Sequence, residues 1–193
     1  ANKIHGKISI ETFYGVYFYN SGTALNPSLF ANNEIIGITS STYYGIYSGS
    51  TSFVDIINNS IHMSGSGASR NIYIANDAGA NYTIKNNLLV NTSSGYPIYF
   101  SGSTTPFTSD YNCLYGNTNV GYISSARTSL SAWQSATGQD ANSISVNPSF
   151  VDVTTNLKLT NYVGFECSMI SNVNHDIEGT IRTTRTSMGC YTA

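Results

Sequence analysis

The feature that most constrains this chain is a repeat. Asn2-Lys-Ile4, Asn33-Glu-Ile35, Asn59-Ser-Ile61, Asn87-Leu-Leu89 and Asn112-Cys-Leu114 each read Asn, any residue, aliphatic, at successive spacings of 31, 26, 28 and 25 residues. A period of this size marks a stacked architecture, because one such unit is too small to bury its own apolar face and must share a core with its neighbours. Two further columns keep phase with the first. One is Gly15-Val-Tyr17, Gly45-Ile-Tyr47, Asn71-Ile-Tyr73, Pro97-Ile-Tyr99 and the degenerate Gly121-Tyr-Ile123. The other stands three residues before each following Asn: Phe30, Ile56, Ile84 and, more weakly, Ser109. The three runs per repeat are short, bounded by Gly, Ser, Thr and Asn, and lack a sustained helical period, which predicts three short β-strands per coil.

Equivalent residues in stacked parallel strands sit about 4.8 Å apart. The Asn column can then form an inward ladder in which each side-chain amide donates to the next rung's carbonyl, satisfying polar groups that burial would otherwise penalise. The residues before it, Asn32, Asn58 and Asn86, suit left-handed bends, which Asn tolerates better than most non-Gly residues. Composition fits such a stack. Only 9% of residues are charged, against about 25% in an average globular chain, and polarity comes from 28 Ser, 21 Thr and 22 Asn. A column of like charges at rung spacing would repel, whereas hydroxyls and amides bond from rung to rung. The 40% hydrophobic content, with 15 Tyr and 8 Phe, supplies enough apolar surface to fold. A net charge of −2 gives no field to gather phosphates, so nucleic acid is not an expected partner. The apolar runs are far too short for a membrane span, and no membrane insertion is expected.

Tyr82-Thr-Ile-Lys-Asn-Asn-Leu-Leu89 resembles the coils of right-handed parallel β-helix proteins of the pectate-lyase-like group, and the resemblance extends over residues 1–123. The remainder is similar to the closing segment of secreted bacterial β-helix proteins. The matching stretches are Ser131-Ala-Trp133, Gly138 to Ala141, Asn147 to Asp152, Leu157-Lys-Leu159 and Asp176 to Tyr191. Most such relatives have Ala where this chain has Cys190, which implies a tight buried slot. The expectation is an all-β, right-handed parallel β-helix of about six coils forming a single domain over 1–193. Residues 1–123 would be its regular coils and 124–193 the last coil and closing segment. One short helix is expected over Leu130 to Ala136, N-capped by Ser129 or Ser131, with Trp133 against the stack and the open sheet edge covered. The resemblance implies a secreted or cell-surface location. The chain opens inside a repeat at Ala1, which predicts the C-terminal part of a longer, monomeric protein.

Catalytic and metal chemistry find little support in the columns. His5 and His62 share a column but are separated by Ile36, so their backbones stand about 9.6 Å apart, and both are expected on the surface. His175 is expected to make only local hydrogen bonds. Glycoside hydrolysis needs two carboxylates flanking one bond, and calcium-dependent lyases need several on neighbouring rungs. Here Lys3 and Glu34, and Lys85 and Asp110, are predicted to pair across rungs. Asp55 neighbours Thr83, and Glu11 and Asp77 fall in variable turns. Neither the paired Asp with Gly-His-Gly of polygalacturonase-like members nor the acidic calcium cluster of lyases is present, and Arg70 is the only Arg of the regular coils. Cys113, Cys167 and Cys190 lack zinc spacing; they read as small packing residues, with a Cys167–Cys190 disulfide as the alternative. No catalytic residue, metal ligand or cofactor is assigned.

The remaining candidate is tyrosine. With the aliphatic residue of Gly-Ile-Tyr inward, Tyr17, Tyr47, Tyr73 and Tyr99 point outward on four consecutive coils, a strip about 14 Å long. It reads either as stacking for stability or as a ligand-binding face for polysaccharide, and the low charge favours neutral glycans. The leading function is therefore a non-catalytic glycan-binding or adhesive module. The alternatives are part of a polysaccharide lyase or glycoside hydrolase, by analogy, and a structural spacer.

Overall fold

The computed structural model describes residues 1–7, 12–19, 22–38, 41–49, 53–75, 81–102 and 106–193; Glu11 and Asp77 lie outside them. The first coil comprises β1 (Lys3–Lys7), β2 (Phe13–Phe18) and β3 (Ser28–Ala31), and the second β4 (Glu34–Ile38), β5 (Tyr43–Ser48) and β6 (Val54–Ile57). The third holds β7 (Ser60–Ser64), β8 (Arg70–Ile74) and β9 (Tyr82–Lys85), and the fourth β10 (Leu88–Asn91), β11 (Tyr96–Phe100) and β12 (Phe107–Asp110). A fifth coil contributes only β13 (Cys113–Gly116) and β14 (Gly121–Ile123). Corresponding strands pair in parallel and in register, forming sheet A (β1-β4-β7-β10-β13), sheet B (β14-β11-β8-β5-β2) and sheet C (β12-β9-β6-β3).

The three columns of the repeat occupy the three sheets. Ile35, Ile61, Leu89 and Leu114 point inward from sheet A, Ile46, Ile72 and Ile98 from sheet B, and Ile56 and Ile84 from sheet C, all fully buried in one core. Asn32, Asn58 and Asn86 have φ of 56°, 52° and 59°, the left-handed corners the sequence predicts, and Tyr111 (φ 54°) takes the same role before the fifth rung. Beside them runs the amide ladder. Asn2 Nδ2 donates to Asn33 Oδ1 (3.2 Å), Asn33 to Asn59 (2.9 Å), Asn59 to Asn87 (3.1 Å) and Asn87 to Asn112 (3.0 Å). The ladder ends on a carboxylate. Asp140 Oδ1 accepts from Asn112 Nδ2, Ser109 Oγ and Ser143 Oγ, and Oδ2 accepts from Trp133 Nε1 at 2.8 Å. An acceptor-only group suits the terminus of a chain of donors.

The stack has about four complete coils, not six. After Ile123 the chain reverses at Ser124 (φ 58°), and β15 (Ser125–Arg127) runs antiparallel to β14. Helix α1 (Leu130–Thr137) follows, with Ser129 Oγ accepting from Ala132 N and Gly138 (φ 67°) as its left-handed C-cap. Its Trp133 is fully buried against Phe100, Phe107 and Gly121, where a Cβ would lie 2.6 Å from the indole. Beyond α1, among the described residues, a single bridge continues sheet A, Cys113 to Ile144.

From there the chain runs back along the outside of sheet A, carrying the hairpin-like pairs β16 (Phe150–Asp152) with β17 (Asn156–Leu159) and β18 (Glu166–Ser168) with β19 (Arg185–Ser187). A second apolar core forms outside the coils from Leu88, Cys113, Leu159, Phe165, Cys167 and Met188. The corner amides tie it down: Asn32 Nδ2 donates to His175 O, Asn58 Nδ2 to Ser187 O and Gly189 O, and Asn86 Nδ2 to Ser168 O. All three cysteines are free and buried, so the Cys167–Cys190 disulfide is not formed. Burial pushes their thiols up to about 12. Among the described residues, no helix is long and apolar enough to cross a membrane.

Candidate functional site

The outer face of sheet B carries the tyrosines. Tyr17, Tyr47, Tyr73, Tyr99 and Tyr122 occupy one register position on five successive strands, one more than the sequence columns assign. Their ring centroids are 4.9, 4.9, 5.2 and 4.3 Å apart, with interplanar angles of 8° to 15°. Parallel rings in contact at such separations are slipped sideways, since carbon atoms touch at about 3.5–4.0 Å. Each of the five rings remains at least partly exposed; the Tyr122 hydroxyl donates to Ser124 O at 3.5 Å.

A second outward column runs alongside: Tyr14, Tyr44, Arg70 and Tyr96. Strict alternation would send residues three apart to opposite faces. The strands avoid this by burying two consecutive residues, Gly45-Ile46, Asn71-Ile72 and Pro97-Ile98, between the outward pair. Asn71 uses its inward position to donate to Ile61 O and Val90 O. Tyr14 and Tyr44 stack at 5.2 Å and 10°, while Tyr14 lies at 79° to Tyr17 and Tyr44 at 88° to Tyr47. The face is thus a herringbone of eight phenols. The motif Tyr14-Gly-Val-Tyr17, Tyr44-Gly-Ile-Tyr47, Arg70-Asn-Ile-Tyr73, Tyr96-Pro-Ile-Tyr99 was in the sequence to be read, but the alternation rule hid it. Tyr17 and Tyr14 remain 54% and 42% exposed.

Among the described residues, Arg70 is the one charged side chain in the two outward columns. Burial, reinforced by neighbouring phenols, raises the hydroxyls of Tyr44, Tyr47 and Tyr99 above their ordinary value. At coil three Arg70 replaces Tyr. Its guanidinium carbon stands 5.6 Å from the Tyr44 ring and 5.1 Å from the Tyr99 ring, and its Nη1 donates to Ala68 O at 2.6 Å.

The other sequence candidates lie elsewhere, and three expectations about them change. Glu34 does face Lys3 (3.9 Å), but the returning C-terminal segment seals it completely. It accepts from His5 Nε2 (2.9 Å), Leu157 N (2.8 Å) and Tyr191 OH (2.8 Å), a clamp holding that segment on sheet A. His62 is buried, not a surface residue, because the same segment covers it: Nδ1 meets Val153 O at 3.2 Å and Nε2 meets Thr92 Oγ1. Lys85 and Asp110 are register partners but form no ion pair; Asp110 instead accepts from Asn142 N and Nδ2. The His175 ring bonds locally to Asn174, but its carbonyl accepts from the Asn32 corner amide, so its hydrogen bonds are not only local. Asp55 neighbours Thr83. Asp152 accepts from Thr154 and Thr155, Asp176 from the backbone of Glu178, Thr180 and Thr192, and Glu178 pairs with Lys158. Among the described residues, no three His, Cys, Asp or Glu side chains gather where a metal ion could sit.

Two clefts among the described residues lie away from the tyrosine face. An open one of about 430 Å³ lies in the C-terminal segment between Tyr162, Glu166 and Arg185, and another of about 250 Å³ lies beside Lys85 and Gln139. The chain matches no protein-family model, no curated protein and no solved structure.

Proposed function

We propose that this protein is a non-catalytic glycan-binding or adhesive module, secreted or on a cell surface, that holds an extended polysaccharide along the tyrosine face of sheet B. The observation that carries the reading is the repetition of one outward aromatic pair at rung spacing. A polymer with a repeating unit can meet several rungs at once, so individually weak contacts add as in any multivalent system. Partly exposed ring faces offer CH–π contact, and the hydroxyl tips reach sugar hydroxyls. Stacking holds the rings in place beforehand, which lowers the side-chain entropy lost on binding. The engagement of Glu34, Asp110, Asp140, Asp152 and Asp176 in structural hydrogen bonds supports a binding role over a lyase or hydrolase.

A glycan array probed with the wild type and with Tyr47→Ala/Tyr73→Ala tests this. Binding by the wild type that falls at least about tenfold in the variant, with unchanged circular dichroism, is expected. No binding by either protein overturns the reading. The spacer alternative has the ring contacts themselves in its favour, since each aromatic pair contributes roughly 0.5–1.5 kcal/mol beyond area burial. It predicts a less stable double variant and no glycan bound. Release of reducing ends or ultraviolet-absorbing unsaturated products from a polysaccharide would instead favour the enzyme.

A further inference from the structure

The second tyrosine column is broken at its centre. Tyr14, Tyr44 and Tyr96 hold the position on coils one, two and four, and Arg70 holds it on coil three. The repeat would be satisfied by a fourth ring, so the cation is a departure that rung-to-rung stacking does not require. Among the described residues, no carboxylate lies within ion-pairing distance of Arg70. A guanidinium carries five N–H donors in a planar fork. One is used by Ala68 O, and Nε is buried with no partner.

From this we infer that Arg70 is an anion-reading subsite within the face, and that the polysaccharide it takes bears carboxylate or sulfate groups. The inference rests on the glycan-binding reading above and refines its substrate class. The low charge of the whole chain points to neutral glycans, but specificity is set by the local field. Flanking rings at 5.6 and 5.1 Å hold the guanidinium by cation–π contact and restrict its motion. The free edge of the held guanidinium can meet a planar oxyanion in a charge-assisted, bidentate contact that phenol hydroxyls cannot offer. One such contact in the middle of an otherwise neutral strip fixes the register of a polymer that the tyrosines alone would let slide.

The test is a glycan array carrying neutral glycans beside their uronate-bearing and sulfated counterparts, probed with the wild type, Arg70→Tyr and Arg70→Lys. Arg70→Tyr completes the column, which keeps folding out of the comparison. The wild type is expected to prefer the acidic forms by about tenfold or more, weakening with added salt. Arg70→Tyr should bind neutral and acidic forms alike, and Arg70→Lys should keep only part of the preference, having lost the fork. The uronate and sulfate arms show which oxyanion is read. Equal binding of neutral and acidic forms by the wild type, or a preference that survives in Arg70→Tyr, overturns the subsite while leaving the tyrosine face standing. Absence of binding to every glycan overturns both.

Discussion

The outer faces of sheets A and B come from the same repeat, one strand apart, and meet opposite fates. On sheet A the outward residues Glu34, Ser60, Leu88 and Cys113 lie at one register and are all sealed under the C-terminal segment. On sheet B the equivalent columns are phenols left at the surface, partly exposed. The difference teaches that a coil decides where outward positions lie but not what covers them. Sheet A's outer face behaves as a second core, with a buried carboxylate and free thiols pushed up by burial. Sheet B's has no such cover among the described residues, which is why it is the candidate for binding.

The sharpest way to break this contrast is Glu34→Ala. It leaves Leu157 N and Tyr191 OH without their acceptor and should cost about 3–5 kcal/mol in urea unfolding, as loss of one partner of a buried charged network does. Glu34→Gln, which still accepts, should recover part of it. Leu88→Ala opens the outer core and is expected to cost about 2–4 kcal/mol. Tyr17→Ser, at the exposed end of the strip with two ring contacts, should cost only about 1 kcal/mol, the scale of ring stacking at an exposed site. A Tyr17→Ser loss as large as that of Leu88→Ala would erase the distinction.

A smaller effect follows from His62. Burial under Val153 lowers its pKa below the ordinary 6.5, with the Val153 hydrogen bond opposing. The unfolded chain then binds a proton that the folded one resists, so its contribution is whole above pH 6.5 and declines as pH falls through the depressed value. Urea midpoints should drop between pH 7.5 and 5 in the wild type, with a shallower slope in His62→Gln. The smallest expected signal is chemical. With thiols pushed up to about 12, the native protein should label negligibly with a thiol reagent at pH 8, and fully once unfolded.

Much of this was legible beforehand because it is local to neighbouring rungs. The five-rung amide ladder, the left-handed Asn corners and the Tyr17–Tyr99 strip could be placed from spacing, and the helix with its Ser129 cap and inward Trp133 from capping chemistry and the resemblance of the closing segment. The missed column of Tyr14, Tyr44, Arg70 and Tyr96 was equally periodic. It escaped because a single extra buried residue at the Gly, Asn or Pro step shifts the alternation that side-chain direction is read from. Asp140, the end of the ladder, falls 28 residues after Asn112 and so keeps the period; it escaped because it is an acid where the column carries Asn.

By itself the sequence determined the cross-section of the coil: three strands, their inward columns and the parallel register. Each of those is an interaction between equivalent residues one repeat apart, and a repeat writes it again in every coil. Only the tertiary structure decided how many coils there are and which outer face is hidden. The contacts responsible join Glu34 to Leu157 and Tyr191 across separations of 123 and 157 residues. They occur once, and an interaction that occurs once leaves no period in the sequence to reveal it.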